Sequence, residues 1–295
     1  MIRILERCLR SFVCFLFFIL VIYNSALLFQ EFLQPLFNPD INAKELCSDC
    51  TNTLGFEHIY VINLDFRIDR RKKMEALGNY HHLNLDIIKA INKHDTVALS
   101  RLNNSNLDNG VKACYLSHYT IFESIVKNGY ESALILEDDV DMELNITNIM
   151  TEVHHNLPNN WDMLYLGHCA VYGNRYFQTN LTVHVLHTSG HPQCLHGYVV
   201  SAEGAKKLVE KLNIDNPNDR IDMDIPALII NEEIISYSIY PPIVVQFKGV
   251  NDFSDVSPTI DGVGTGTYPL MNSTLRFLGY DPNVKDPNTL NIPHH

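Results

Sequence analysis

A short aliphatic run that ends in three consecutive acids constrains the fold of this chain more than any other feature. The run is Ala133–Leu136, and the acids are Glu137, Asp138 and Asp139. Such a run favours a short buried strand. Open α/β sheets bind ligands at the carboxyl ends of their strands, and carboxylate oxygens suit Mg²⁺ or Mn²⁺, which commonly hold a diphosphate. The run therefore predicts a nucleotide-sugar site, with a solvated acidic turn as the alternative.

Strand-like and helix-like segments alternate through the chain. We predict strands at 59–64, 85–91, 133–136, 162–166, 183–186, 198–200 and 234–240, and helices at 67–77, 115–127, 202–212 and 222–231. Residues 95–110 are polar and rich in Asn, which predicts a flexible loop, and the chain beyond Pro241-Pro242 is expected to be mostly irregular. This alternation indicates an α/β layered domain.

The N-terminal region predicts a membrane anchor. Residues 11–29 are uncharged and long enough to cross a bilayer, and three arginines precede them. Positive charge on this side predicts a single-pass type II membrane protein of the Golgi or endoplasmic reticulum. A cleaved signal peptide near Ser25-Ala26 is the alternative. We expect a cytosolic tail at 1–10, a transmembrane signal-anchor at 11–29, a stem at 30–55, a folded domain at 56–256 and an irregular extension at 257–295.

Net charge and cysteine content limit the classes of partner and the disulfides that this chain can have. The net charge of −12 argues against a nucleic-acid-binding protein, which usually carries a basic face. Four Asn-x-Ser/Thr sites, at 103, 145, 180 and 272, give weak support to a secretory route. A luminal setting permits disulfides, and our preferred pair is Cys169 with Cys194. Cys47 and Cys50 could join each other or another chain, since spacing alone does not decide connectivity.

A series of motifs between residues 58 and 256 resembles glycosyltransferase family 25. That family includes bacterial lipooligosaccharide galactosyltransferases and procollagen galactosyltransferases. The matching pieces, in order, are Val61-Ile62-Asn63-Leu64-Asp65-x-Arg67-x-Asp69-Arg70-Arg71, Cys114-x-x-Ser117-His118, Ala133 to Val140, Trp161-Asp162-x-Leu164-Tyr165-Leu166-Gly167, His196-Gly197-Tyr198, Ser201-x-x-Gly204-Ala205, Asp222, Pro241-Pro242 and Ser254-Asp255.

The resemblance implies a GT-A-like nucleotide-sugar-binding domain with a mixed central sheet. It also implies a UDP-sugar donor, most plausibly UDP-galactose, a protein or glycan acceptor, and inversion at the anomeric carbon. In this comparison Asp139 is a metal ligand, and Asp138 contacts the metal or the ribose. Glu137 either touches the donor or is structural. The implied metal is Mn²⁺, or Mg²⁺, which would neutralise the leaving diphosphate.

The arginines after the first predicted strand have a chemistry that suits a diphosphate. Arginine forks match the geometry of phosphate and carboxylate groups. We therefore predict that Asn63, Arg67 and Arg70 line the donor pocket. The alternative is a solvated basic helix face.

An inverting transferase also needs a base for the acceptor hydroxyl. The resemblance places an acid at Asp222, and Asp224 lies close behind it, although either could be only a helix N-cap. His118 and His196 are alternative bases. The family comparison also suggests His196 or Asp255 as a further metal ligand.

Two other interpretations remain open. The spacing His187-x-x-x-His191-x-x-Cys194-x-His196 offers zinc-ligand types, but a polar loop with a disulfide is the favoured interpretation. The chain could also be an inactive, membrane-tethered relative that binds a glycan or protein.

Overall fold

The computed structural model describes residues 50–102, 105–169, 183–248, 254–256 and 269–283. These residues all belong to one compact unit, Cys47–His295. Within them, the strands β1 to β9 are His58–Asn63, Asp86–Lys89, Ser132–Glu137, Val140–Met142, Met163–Gly167, Val185–Thr188, Gly197–Ser201, Ser236–Tyr240 and Val244–Gln246. The helices α1 to α7 are Ile68–His81, Thr96–Leu99, Asn109–Asn128, Ile146–Asn156, Ala202–Lys211, Ile221–Ile230 and Thr274–Phe277. Short 3₁₀ turns occupy Cys50–Thr53 and Ser100–Leu102.

Seven strands form a mixed central sheet in the order β2-β1-β3-β7-β5-β8-β6. Strand β1 is parallel to both β2 and β3, whereas β7 is antiparallel to β3 and β5. A separate antiparallel pair joins β4 to β9. The expected mixed α/β sheet is therefore confirmed.

The central sheet is buried on both faces, which explains its long apolar runs. Ala133 and Ile135 of β3 pack into a core with α3, α5 and α6, while Leu134 and Leu136 pack into a second core with α1 and α4. All four side chains are inaccessible to solvent. Strand β3 is therefore held at the centre of the fold, and its carboxyl end has little freedom to move.

Most predicted elements are confirmed within a few residues, and local signals explain their ends. Helix α3 stops at Gly129, whose φ of 71° is left-handed and suits glycine. Ser201 caps α5 by accepting a hydrogen bond from the Gly204 amide, as its sequence position predicted.

Other elements were not predicted. Helix α2 lies inside the expected flexible loop 95–110, and β4, β9 and α7 are too short to show a period. Helix α4 was missed although Ile146, Ile149, Met150 and Val153 follow helical spacing and are buried. Strands β4 and β9 are three residues long, so they depend on pairing with each other and not on sequence periodicity. Such short elements form where tertiary contacts favour them.

The expected type II membrane localisation is corrected by the structure. Among the described residues, no helix combines the length and apolar character needed to cross a bilayer. The predicted anchor at 11–29, the cytosolic tail and residues 30–49 of the stem lie outside the described residues.

A C-terminal segment, residues 269–283, packs against β4 where irregular chain was expected. The Glu143 carboxylate accepts hydrogen bonds from the amides of Met271, at 2.5 Å, and Asn272, at 3.0 Å. The Asp141 carboxylate accepts one from the Leu275 amide at 2.9 Å. Because Leu275 is also fully buried, this segment completes the core beside β4.

His81 joins this C-terminal segment to α1 and should make the fold sensitive to acid. Its Nε2 lies 3.0 Å from Thr274 Oγ1, and burial lowers its pKa from 6.5 to about 4. Between these values the unfolded chain binds more protons than the folded chain, so stability falls as the pH drops through this window. At pH 5 the loss due to His81 is roughly 2 kcal/mol.

Urea unfolding at pH 7 and pH 5 measures this contribution. We expect His81→Gln to lose less stability on acidification than the unaltered chain. The exposed His94 offers a control, and His94→Gln should keep the full loss. Equal losses in all three proteins would contradict the role given to His81.

Candidate functional site

The parallel register of β1 and β3 brings two predicted site residues together. Ile62 is opposite Glu137 in this pairing, so the next residues, Asn63 and Asp138, leave the sheet side by side. The Asn63 Nδ2 amide donates a 2.7 Å hydrogen bond to Asp138 Oδ2. Both residues are buried. The ends of β1 and β3 therefore bring Asn63 and Asp138 together at the carboxyl edge of the sheet.

Arg70, in the first turn of α1, lies against both aspartates of the motif. Its NH1 atom is 2.9 Å from Asp138 Oδ1 and 3.3 Å from Asp139 Oδ2. Burial raises the pKa of Asp138 to about 6, against the lowering effects of Arg70 and Asn63 and together with repulsion from Asp139. One guanidinium thus stabilises two neighbouring carboxylates.

Arg67 brings a distant segment to the same edge. Asp69 accepts two hydrogen bonds from the Arg67 guanidinium, at 3.1 and 3.0 Å, and Asp255 lies 2.5 Å from Arg67 NH1. Asp255 is also 4.0 Å from Arg70 NH1. Gly110 permits this approach, because a Cβ there would lie 2.4 Å from the Val256 carbonyl oxygen. Asp255, suggested by the family comparison, is therefore part of this site.

Asp139 Oδ1 and His196 Nδ1 are buried near the motif, and neither atom has a hydrogen-bond partner among the described residues. The other ring nitrogen of His196 lies 3.3 Å from the Val244 carbonyl oxygen. Gly167 makes room for this ring, since a Cβ there would lie 2.4 Å from His196 Nε2. A buried polar atom without a partner is costly, so these two atoms suggest a missing ligand.

The chemistry of these two atoms fits a divalent cation. A carboxylate oxygen suits Mg²⁺ or Mn²⁺, and an imidazole nitrogen suits the transition metals. Asp138 fits less well, because Asn63 and Arg70 already bond its two oxygens. Among the described residues, Asp138, Asp139 and His196 do not form a group whose ligand atoms all lie within 4.8 Å of one another. Asp139 is therefore the ligand that the geometry supports best.

Glu137 faces a different part of the site from the two aspartates. Its Oε1 lies 3.5 Å from His118 Nε2, and its Oε2 accepts a 3.4 Å hydrogen bond from Gln246. Burial alone would raise the pKa of Glu137, but His118, helped by His196 and Lys248, holds that pKa well below its usual range. The predicted donor contact of Glu137 has no support in these contacts.

The two candidate bases occupy different environments. Asp222 is partly exposed at the start of α6 and lies 3.6 Å from Arg220 Nε. Burial raises the pKa of Asp222, Arg220 lowers it, and Glu137 raises it. Asp224 is buried instead, where its carboxylate accepts hydrogen bonds from Tyr115 Oη and the Asp219 amide. These contacts do not support a catalytic role for Asp224, which is bonded as a structural residue.

The structure decides between the disulfide and the zinc site predicted for Cys194. Cys169 and Cys194 form a disulfide, which confirms the preferred pairing. The zinc alternative through Cys194 is therefore wrong, because that sulfur is already bonded. His187 of the same motif contacts the Thr188 carbonyl oxygen at 2.9 Å. Cys114 is a free thiol beside His118.

Some residues of the site were missed by sequence reasoning. Gln246 had no signal, because the three-residue strand β9 was not predicted. Tyr198, whose hydroxyl lies 2.8 Å from His118 Nδ1, was quoted only as part of a motif. The pairing of Asp69 with Arg67 could have been predicted, since Asp69 stands two residues after Arg67 in the opening motif.

Comparisons with known proteins agree with these motifs. The model of "Glycosyltransferase family 25 (LPS biosynthesis protein)" matches residues 56–223, more than half of the chain. Procollagen galactosyltransferase 1 of Danio rerio is 30% identical over 177 residues, which cover 54% of this chain and 29% of that protein. A Bos taurus protein described as probable inactive glycosyltransferase 25 family member 3 is 29% identical over 175 residues, covering 53% of this chain and 29% of the relative.

Among solved structures, a glycosyltransferase involved in the glycosylation of the major capsid of PBCV-1 is 14% identical, with a TM-score of 0.39. The match covers 67% of this chain and 94% of that one. The chain spans about 30% of the length of the two curated relatives named above. On the family match and the order of its motifs, the chain belongs to glycosyltransferase family 25.

Proposed function

We propose that this chain transfers a sugar, galactose from UDP-galactose, to a hydroxyl group of a protein or glycan. Membership of family 25 and the name of the Danio rerio relative support this reaction. The observation that carries it is the contact of Asn63 and Arg70 with the Asp138–Asp139 pair at the edge of a mixed sheet, where Arg67 holds Asp255 beside them. We assign the activity to a GT-A-like domain, residues 56–256.

On the donor side of the proposed site, positive charge binds the diphosphate of the UDP-sugar. Arg70 already contacts two carboxylates, and a diphosphate would give its guanidinium a further anionic partner. Arg67 and Asn63 hold Asp255 and Asp138 in place around it. A divalent cation, Mn²⁺ or Mg²⁺, would supply neutralisation of the leaving diphosphate. Asp139 Oδ1 would hold this ion, and His196 Nδ1 is the second candidate ligand.

The acceptor side of the proposed site uses Asp222. The acceptor oxygen attacks the anomeric carbon from the face opposite the diphosphate. The bond from that carbon to the leaving diphosphate oxygen breaks, and the proton of the acceptor hydroxyl passes to the Asp222 carboxylate. The partial burial that raises the pKa of Asp222 makes it a stronger base than an exposed aspartate.

UDP release from a panel of UDP-sugars tests this proposal. We expect turnover of one donor, UDP-galactose, that requires Mn²⁺ and rises when a suitable acceptor is present. The matched sample is the same protein stripped of metal with a chelator. A folded protein that binds UDP equally with and without Mn²⁺, and releases none from any donor, would contradict the proposal.

A non-catalytic role is the second candidate function. The inactive description of the Bos taurus relative makes it relevant. Arg70 also places one positive charge against the Asp138–Asp139 pair, which gives the two acids a structural role as its ion-pair partners. Glycan binding without donor turnover would favour this candidate.

A further inference from the structure

Three side chains with metal-ligand chemistry meet beside the donor site. Cys114 and His118 stand four residues apart on α3, and therefore on one face of that helix. Glu137 reaches them from the end of β3. One ligand atom from each residue lies within 4.8 Å of the other two.

The spacing of these atoms suits a tetrahedral ion. His118 Nε2 and Glu137 Oε1 are 3.5 Å apart. Two ligands bound at zinc distances in a tetrahedron lie roughly 3.3–3.5 Å from each other. The Cys114 sulfur therefore needs only a small movement to complete three corners around the same point.

Neighbouring groups already orient two of the three ligands. The Tyr198 hydroxyl lies 2.8 Å from His118 Nδ1, which leaves Nε2 directed at Glu137. Gln246 donates to the second oxygen of Glu137 at 3.4 Å. Such outer partners are typical of metal-binding histidines and carboxylates.

Solvent and a further carboxylate border the fourth side of the cluster. Cys114 is only partly buried, and the side chain of Glu137 is 27% exposed. Asp222 is close enough to interact electrostatically with Cys114, His118 and Glu137. Three protein ligands with a fourth position open to water is the arrangement of catalytic zinc sites, in contrast to closed structural ones.

We propose that Cys114, His118 and Glu137 form a binding site for a zinc-class transition-metal ion. Thiolate and imidazole ligands favour such ions, whereas Asp139 offers a carboxylate oxygen that favours Mn²⁺ or Mg²⁺. The two sites therefore select different metals. The inference stands apart from the proposed transferase reaction, because its readout is metal binding and not turnover.

Cobalt titration of the full chain tests this site. The disulfide stays oxidised, and Cys8, Cys14, Cys47 and Cys50 are replaced by serine in every sample, so that Cys114 is the one cysteine left that can supply a thiolate. We expect one Co²⁺ ion to bind with a thiolate charge-transfer band in the near ultraviolet, and Zn²⁺ to displace it. Cys114→Ser should abolish the band, and Glu137→Gln should weaken Co²⁺ binding at least about tenfold.

Two controls separate this site from its neighbours. Asp139→Asn should leave the cobalt band unchanged, whereas it should impair Mn²⁺ binding. His196→Gln should also leave the band unchanged, because the sulfurs of the other group with ligand spacing, Cys169, Cys194 and His196, are joined in a disulfide. A band that persists in a folded Cys114→Ser protein, or no band in any sample, would overturn the proposal.

Discussion

Replacing Asp139 with asparagine should reduce metal-dependent donor turnover by on the order of 10²–10³-fold, the range for losing one electrostatic contact to a transition state. Asp139 Oδ1 is buried without a hydrogen-bond partner among the described residues, so it is the oxygen best placed to hold a cation. Asparagine keeps the shape of the side chain but removes its negative charge. Its backbone carbonyl, which accepts a hydrogen bond from the Phe247 amide, is unaffected. Steady-state UDP release at saturating UDP-galactose and Mn²⁺ measures the loss.

A surface aspartate provides the matched control for this prediction. Asp86 lies in the edge strand β2, and its carboxylate pairs with His58 at 3.0 Å. This ion pair does not involve the acids at 137–139. Asp86→Asn should keep full turnover. Isothermal titration should also show weaker Mn²⁺ binding in Asp139→Asn and not in Asp86→Asn. If Asp139→Asn keeps both turnover and Mn²⁺ affinity, Asp139 is not the metal ligand.

Replacing Asp222 with asparagine should reduce kcat by about 10²–10⁴-fold, the range for losing a general base. Burial raises the pKa of the Asp222 carboxyl above the ordinary 3.8, so the acid limb of the rate profile should lie above that value. The carboxylate must be ionised to accept a proton, and activity should therefore fall as the pH drops through this limb. Asparagine cannot accept the proton, so the limb should disappear. The measurement is the pH dependence of kcat/KM for galactose transfer.

Asp224 is the matched control, two residues further along the same helix. Its carboxylate accepts hydrogen bonds from Tyr115 and the Asp219 amide, so Asp224→Asn should lower stability while the acid limb stays in place. Substrate affinity gives a second test, because loss of a base lowers kcat more than it raises KM. A full acid limb in Asp222→Asn, or its loss in Asp224→Asn, would reverse the two assignments.

Part of the site could be predicted because its residues are local in sequence. Glu137, Asp138 and Asp139 follow one buried strand, and Asn63, Arg67 and Arg70 follow another. Parallel strands bring their carboxyl ends to the same edge, so the two segments assigned to one donor pocket lie together, although the contact of Asn63 with Asp138 was not itself predicted. The predicted Cys169–Cys194 disulfide is likewise present.

Other features depend on pairings that sequence periodicity does not record. Strand β9 forms only against β4, and through it Gln246 reaches Glu137. The helix at Thr274–Phe277 is four residues long, and it is held by Asp141 and the buried Leu275 instead of by helix propensity. Asp255 reaches Arg67 across 188 residues of chain, an approach that Gly110 permits by its lack of a side chain.

Sequence alone therefore determined the α/β class, the family and the edge of the sheet proposed for the donor site, because strand patterning and motif order are local properties. Tertiary structure decided which neighbouring residues each of the three acids contacts. Asp138 is bonded by Asn63 and Arg70, Asp139 keeps a buried oxygen without a partner among the described residues, and Glu137 faces His118. This division has a physical cause. Arg70 and His118 come from different helices on opposite faces of the sheet, and each attracts a different carboxylate.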